Sequence, residues 1–500
     1  MTASPFPILI IVVPLISAFL IILAGWIKKN LCYPLMLAAL TVSAFSSLAI
    51  LQEVIHHGTL HYHLGNWDPP WGIEYVIDHL NSFVAVVVCI ISLLIGISSK
   101  KMVEQAFPMR LPYFYCLFLL HVTGLLGIVV TGDVFNLYVF LEIASLAGYA
   151  LIAIGEDGAP FASFNYMIYG TLGACFYLLS VGYLYIVTGS LNMADLSRIL
   201  PGLYHSKVVL MAFAFLVVGV GIKMALFPLH VWLPDAYTYA PSSVTSLVAP
   251  LTTKVGAYVL IRMMYTVFEP SFSTKVIPAA TILSWVAFFA ILFGCILALG
   301  QRDLKRMLAY VLVAEVGYIA LGVGLGNRNG LTGAILHIMN DALMMACLFL
   351  IVGAITYKGW PRQIDQFNGL HRRMPVTMAA LVISALSVIG IPPACGFFSK
   401  WYLVLGAIDA KQWPFAAVLL VSSLLNAIIF FKVIECAYFE PVANEHDLQP
   451  VEDRPKFIWD EAPLSILIPM VLLAAGILSV GLLSGPIISG VIQFAMPANF

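Results

Sequence analysis

The stretch Val217-Val218-Gly219-Val220-Gly221-Ile222-Lys223-Met224-Ala225-Leu226-Phe227-Pro228-Leu229-His230 decides how this chain is built. Lys223 stands late in a long apolar run, and Pro228 follows five residues later. A charged lysine at bilayer depth costs at least ~2.5–3.5 kcal/mol. Proline removes a backbone donor, so the helix is predicted to break or kink beside the lysine. A charge next to a broken helix inside a membrane reads as part of an ion path; the alternative is a static salt bridge between helices.

Composition supports the membrane setting. Of 500 residues 61% are hydrophobic and only 10% charged, against roughly 25% charged in a soluble domain. The net charge of −1 leaves no basic footprint for nucleic acid. The eight cysteines form no Cys-x-x-Cys pair, which argues against a disulfide framework or a zinc or iron–sulfur site. No dinucleotide fingerprint or phosphate loop appears, so no cofactor and no metal are expected. The apolar stretch within Met1 to Gly25 lacks a basic leader and a small-residue cleavage site, and reads as a first transmembrane helix.

A span needs about 20 apolar residues. That rule predicts an all-α polytopic fold with 14 spans: 5–25, 32–55, 79–98, 112–130, 133–154, 162–188, 208–229, 242–266, 277–299, 306–324, 331–356, 375–408, 413–437 and 462–490. The twelfth is long because Gly390-Ile391-Pro392-Pro393 must interrupt it. Tyr62/Leu64 and Ile73/Tyr75 alternate around a Pro-Trp turn and predict a small surface hairpin in the 56–78 connection. The 438–461 connection is acidic and polar.

Charge orients the bundle. With connections numbered from the N-terminus, the odd ones carry fourteen Lys and Arg: Lys28, Lys29, Lys100, Lys101, Arg110, Arg302, Lys305, Arg306, Lys358, Arg362, Arg372, Arg373, Arg454 and Lys456. The even ones carry six: Arg198, Lys207, Arg262, Lys275, Arg328 and Lys411. This bias places the odd connections in the cytoplasm and both termini outside, in a cell inner membrane. Fourteen and six leave four of the 24 basic residues inside spans: Lys223, Lys254, Lys400 and Lys432. Lys432, near a helix end, reads as snorkelling. Glu142, Glu315 and Asp341 also fall inside spans, as do His121 and His337.

These residues fall into groups. A carboxylate at the depth of Glu142 needs a cation, and Lys223 is the expected partner; a switchable pair is favoured over a static one because Pro228 marks flexible backbone. Lys254 follows Pro250 within one turn, among Ser242, Ser243, Thr245, Ser246, Thr252 and Thr253, which can hold water or merely cap the helix. His337 and Asp341 stand four residues apart on one helix face, a spacing expected to let the carboxylate favour imidazolium. Glu315 reads either as a proton carrier or as a structural hydrogen-bonding group. Lys400 follows the Gly390–Pro393 break, a second lysine at a broken helix, which suggests an internal repeat of the kind found in transporters.

The stretches Lys223–Tyr237, Gln301–Tyr318, His337–Leu350 and Gly390–Tyr402 resemble the antiporter-like subunits shared by respiratory complex I, membrane-bound hydrogenases and Mrp-type cation/proton antiporters. Gly132-Asp133-Val134-Phe135-Asn136-Leu137-Tyr138-Val139-Phe140-Leu141-Glu142 is most similar to the D-type subunit of Mrp antiporters, as are the chain length and the span count. The resemblance implies two inverted five-helix repeats at 112–266 and 277–437, preceded by three helices in 1–111 and followed by 438–500. It also implies a Glu142–Lys223 pair, a central Lys254 and a terminal Lys400. The chain departs from that pattern where Asp341 replaces a second histidine, Met345 and Asn165 replace lysines, and Glu315 replaces Gln or His.

Residues and resemblance together lead to an expected proton path through Glu142, Lys223, Lys254, His337, Asp341, Glu315 and Lys400. The chain is expected to serve a multisubunit sodium (or other monovalent cation)/proton antiporter, with other membrane subunits as partners. A proton-pumping subunit of an NADH–quinone oxidoreductase or hydrogenase, and a membrane scaffold for inorganic-carbon uptake, are the alternatives.

Overall fold

A computed structural model describes residues 4–155, 157–440 and 460–497. The chain begins with α1 (Phe6–Ile27) and α2 (Cys32–His57), then a hairpin of β1 (Leu60–His63) and β2 (Glu74–Ile77), then α3 (His79–Ala106). Next come α4 (Leu111–Val130), α5 (Val134–Ala153), α6 (Ala159–Thr188) and the short α7 (Met193–Ile199). The pair α8 (Lys207–Lys223) and α9 (Trp232–Tyr239) leads into α10 (Ser242–Arg262). A single turn, α11 (Glu269–Ser271), connects to α12 (Ala279–Leu299), α13 (Leu304–Gly324) and α14 (Arg328–Tyr357). After the one-turn α15 (Leu370–Arg373) come α16 (Pro375–Ile389), α17 (Cys395–Asp409) and α18 (Trp413–Tyr438). The described chain closes with α19 (Leu464–Leu482) and α20 (Ser484–Gly490).

Twelve of these helices are long and apolar enough to cross a membrane among the described residues. The other two expected spans are broken. α8 stops at Lys223, where Ala225 takes a left-handed φ of 57° and Pro228 has no N–H to continue the ladder. At the break the Ile222 carbonyl accepts from the Ala225 N–H at 3.1 Å and from Trp232 Nε1 at 3.0 Å. The seventh span therefore runs on to Tyr239, ten residues past its expected end at 229. α16 ends at Gly390, whose φ of 93° suits glycine, and the chain resumes as α17 at Cys395. Spans four to eight and nine to thirteen share one order: three continuous helices, a broken one, a continuous one. The hairpin forms as expected, with Tyr62 opposite Tyr75. Most of the 438–461 connection lies outside the described residues.

Burial separates inner from outer helices. The most apolar stretches of α13 and α14 are 94% buried, whereas those of α1, α6 and α18 are only 28–39% buried and leave their apolar faces outward. Polar groups on the inner helices must therefore find partners inside the protein. α8 reaches the core because glycines let it approach α6: a Cβ on Gly219 would lie 2.7 Å from the Gly173 carbonyl oxygen.

The connections sort by parity. Gly132 donates to the Glu74 carbonyl and Asp133 bridges Asn192, joining connections two, four and six. Asn329 bonds Asp409 at 2.6 Å, joining ten and twelve. Lys358 pairs with Asp460 at 2.5 Å and Arg362 with Asp303 at 3.3 Å, joining eleven to thirteen and to nine. Both described ends lie on the even face, where Ser4 bonds Glu53 and Phe494 packs on His79. One even-connection residue needs correction. Arg262 ends α10, only 7% exposed, with a two-pronged contact to Asp78 at 2.6 and 2.9 Å. Asp78 also caps α3 by accepting from the Leu80 and Asn81 N–H groups.

Candidate ion path through the membrane core

The first group forms where α5 meets the end of α8. Glu142 and Ser145 are three residues apart on α5 and share a face. Lys223 Nζ donates to Ser145 Oγ at 2.8 Å and to Glu142 Oε1 at 3.3 Å. The expected Glu142–Lys223 pair is thus present, with Ser145 as a partner the sequence reading did not assign. Glu142 is not sealed in: 24% of its side chain is exposed, on the outward face of α5.

Beside Lys223 lies a cavity of about 30 Å³, lined by Ser145, Tyr166, Val220, Lys223 and Thr252. That is room for about two waters. Thr252 Oγ1 lies 3.2 Å from His121 Nε2, and His121 Nδ1 lies 2.8 Å from the Ala144 carbonyl oxygen. A carbonyl only accepts, so Nδ1 carries the proton and Nε2 of the neutral ring accepts from Thr252. His121 is fully buried on α4 and joins the polar surroundings of this cavity. Its only signal in the sequence is a histidine inside an apolar run.

The second group centres on α14. Lys254 Nζ lies 2.6 Å from Asp341 Oδ2 and donates to the Ala249 carbonyl at 3.3 Å. His337, one turn away, faces different helices: Nε2 is 3.0 Å from Glu315 Oε2 on α13, and Nδ1 is 2.9 Å from Ser399 Oγ on α17. The expected His337–Asp341 pairing is therefore corrected. The residues share a helix face, but each turns to a different neighbour. The contacts of Asp341 with Lys254 and of Glu315 with His337 are close charge approaches whose angles fall outside in-line hydrogen bonding. Lys254, His337, Asp341 and Glu315 are all at most 1% exposed.

Proton placement at His337 follows from the geometry. Ser399 Oγ donates to the Gly396 carbonyl at 3.1 Å, so it accepts from Nδ1. Nε2 then faces the Glu315 carboxyl at 3.0 Å, where a bare lone pair against a carboxylate is repulsive. One proton must lie on one side or the other, as imidazolium with carboxylate or imidazole with carboxylic acid. Lys400, next to Ser399 on α17, donates to the Val388 carbonyl at 2.6 Å and lies 4.5 Å from the centre of the Tyr318 ring. That carbonyl comes from the last turn of α16, so the helix break supplies the acceptor. Tyr318 in turn donates to Ser422 Oγ at 2.8 Å on α18.

Lys223 is matched by Glu142 and Lys254 by Asp341, whereas the proton held between His337 and Glu315 leaves that pair without net charge, so Lys400 is held by the Val388 carbonyl and the Tyr318 ring. Met345, where the resemblance led to a lysine, is fully buried in the apolar core. Among the described residues no cluster of three or more His, Cys, Asp or Glu is arranged to hold a metal ion.

A multi-pass helical bundle with two broken helices, each with a buried lysine at or near its break, has the architecture in which transporters place ion sites. The chain belongs to the family described as NADH:quinone oxidoreductase/Mrp antiporter, TM, which matches residues 131–426. It is 47% identical over 498 residues to NADH-quinone oxidoreductase subunit N of Desulforudis audaxviator, covering 98% of each chain. It is 32% identical over 429 residues to the D-type Na(+)/H(+) antiporter subunit of Bacillus subtilis, covering 84% of each. Among solved structures it is similar to a chain of the Mrp complex from Dietzia sp., at 27% identity and a TM-score of 0.85 over 98% of this chain and 96% of that one. It is also similar to a chain of the membrane-bound sulfane sulfur reductase, an archaeal respiratory membrane complex, at 30% identity and a TM-score of 0.89 over 98% and 97%.

Proposed function

We propose that this chain conducts protons as a subunit of a multisubunit monovalent cation/proton antiporter, exchanging them for sodium or a similar cation. The observation that carries the reading is the run of ionisable groups in close approach through the core of the bundle: Glu142 with Lys223, Lys254 with Asp341, and His337 with Glu315 beside Lys400. A proton arriving at one group unbalances its neighbour, and buried charge is costly enough to pass that imbalance on. Met345 carries no proton, so the route from Lys254 to Lys400 passes through Asp341, His337 and Ser399. The repeated order of spans supports two five-helix units; an odd number of crossings in each inverts the second relative to the first. The excess of Lys and Arg on the odd connections supports a cytoplasmic odd face and outside termini.

Glu142 is part-exposed at membrane depth, which supports a neighbouring membrane subunit covering it. A second reading rests on the 47% identity to a quinone oxidoreductase subunit: the same proton path serving a redox-driven complex. The subunits that co-purify decide between them. Small hydrophobic subunits alone, with sodium-dependent proton movement in everted vesicles, support antiport. Flavin or iron–sulfur subunits support the redox complex. A zinc-bearing soluble partner without cation-dependent proton movement would refute both.

A further inference from the structure

Between the odd-face ends of α3, α10, α13 and α14 lies a cavity of about 570 Å³. Gln105, Ser242, Lys305, Thr356 and Arg362 line it. Lys305 is 1% exposed. Its neighbours are paired, Arg306 with Asp235 at 3.0 Å and Arg362 with Asp303 at 3.3 Å. Lys305 itself has no carboxylate partner among the described residues, and its hydrogen-bonding partner is the Ala240 carbonyl.

Helix capping accounts for part of this. Lys305 and Arg362 close the carbonyl end of α9, through Ala240 and Thr238. A helix end carries about half a charge, and one carbonyl takes one of the three ammonium donors. Two donors of a buried cation are left over. The first turn of α10, with Ser242 and Ser243, also opens on the cavity. It has no side-chain cap and no acid in its first turn, so it adds leading N–H groups and the positive end of a 21-residue helix. The acidic lining residue is Asp157, which is exposed. Buried donors without a counterion call for an anion with several acceptor oxygens. The cavity sits at the depth of the helix ends, where basic pockets between spans suit phosphate headgroups.

We propose that this cavity binds a phosphate-bearing anion, held by Lys305, Arg362 and the first turn of α10. The phosphate comes either from a lipid headgroup or from free phosphate. The test uses the full-length chain, purified in detergent with its co-purifying subunits, as wild type, Lys305→Met and Ser242→Asp. Ser242→Asp puts a carboxylate in the cavity at a helix start that tolerates one, and it leaves the Lys305–Ala240 contact in place. It thus separates lost binding from lost folding.

Retained phospholipid is read by native mass spectrometry. After delipidation, melting is followed with sodium phosphate, with short-chain phosphatidylglycerol, and with sodium chloride at matched ionic strength. A lipid adduct on wild type, at least about tenfold weaker on both variants, establishes the headgroup as source. No adduct, but a phosphate-specific rise in wild-type melting temperature that both variants lose, establishes free phosphate. Equal behaviour of all three proteins, or no response to either phosphate source, overturns the proposal and leaves Lys305 as a helix cap.

Discussion

Asp341→Asn is the most informative change on the proposed path. Asparagine keeps the shape of a side chain with no exposed surface and removes its charge. Lys254 then loses a carboxylate 2.6 Å away and keeps only the Ala249 carbonyl at 3.3 Å. At 2.6 Å and an effective dielectric of about 20, the lost attraction is ~6 kcal/mol. Measured losses on breaking a buried pair are lower, about 3–5 kcal/mol, because the surroundings relax. Each 1.4 kcal/mol is a factor of about ten, so the charged state of Lys254 becomes rarer by about two to four powers of ten. If that state forms in every cycle, transport should fall at least about a hundredfold. Asp341→Glu keeps the charge but adds a methylene to a full site, costing about 1–3 kcal/mol of packing, and should retain measurable activity. Proton movement in everted vesicles, normalised to assembled protein, measures both. Asp341→Asn within about threefold of wild type would refute the reasoning, because the pair would then be structural only.

Four further outcomes are expected. Lys223→Arg should assemble yet lose transport about as fully as Lys223→Ala, since a guanidinium does not release its proton; full activity in vesicles would make Lys223 a fixed charge. His337→Gln can still bond Ser399 and face Glu315 but cannot carry the shared proton, so transport should fall about a hundredfold with normal assembly. In a Cys175→Ser background, which removes the exposed cysteine, Ser197→Cys should react with an impermeant thiol reagent added outside and Lys101→Cys should not; the reverse pattern would invert the topology. At the rim, burial pushes the Asp78 carboxyl up, but Arg262 and two backbone N–H groups outweigh it and hold the carboxyl below its ordinary value of 3.8. Stability from a depressed carboxyl is complete above its unfolded value and lost as pH falls through its folded value. Asp78→Asn should therefore cost about 3 kcal/mol near neutral pH, and detergent melts of wild type should show an acid limb below about pH 4 that the variant lacks.

The sequence made the spans legible because twenty apolar residues and a proline are local signals. It also isolated Lys223, Lys254 and Lys400, since charge in an apolar run stands out. The Glu142–Lys223 pair was readable because few other charges stood at that depth. What stayed hidden depends on how helices turn against each other. Asp341 and His337 share a face of α14, yet α10 reaches one with Lys254 and α13 reaches the other with Glu315. Ser145 and Ser399 were invisible because a serine in a membrane helix usually bonds its own backbone. Arg262 was assigned to a connection since it ends an apolar run; the salt bridge that draws it inward comes from Asp78, 184 residues earlier.

Lys254 belongs by chain order to the first set of five spans, yet its carboxylate belongs to the second. The pair therefore makes the two sets thermodynamically reciprocal. Protonating Asp341 changes the proton affinity of Lys254 by the same factor as protonating Lys254 changes that of Asp341. A substitution confined to the second set, such as one at Glu315 or Ser399, should then alter how readily the Lys223 site fills, although no atom near Lys223 has moved. Double-mutant cycles between Ser399 and Ser145 would read that reciprocity as a coupling energy.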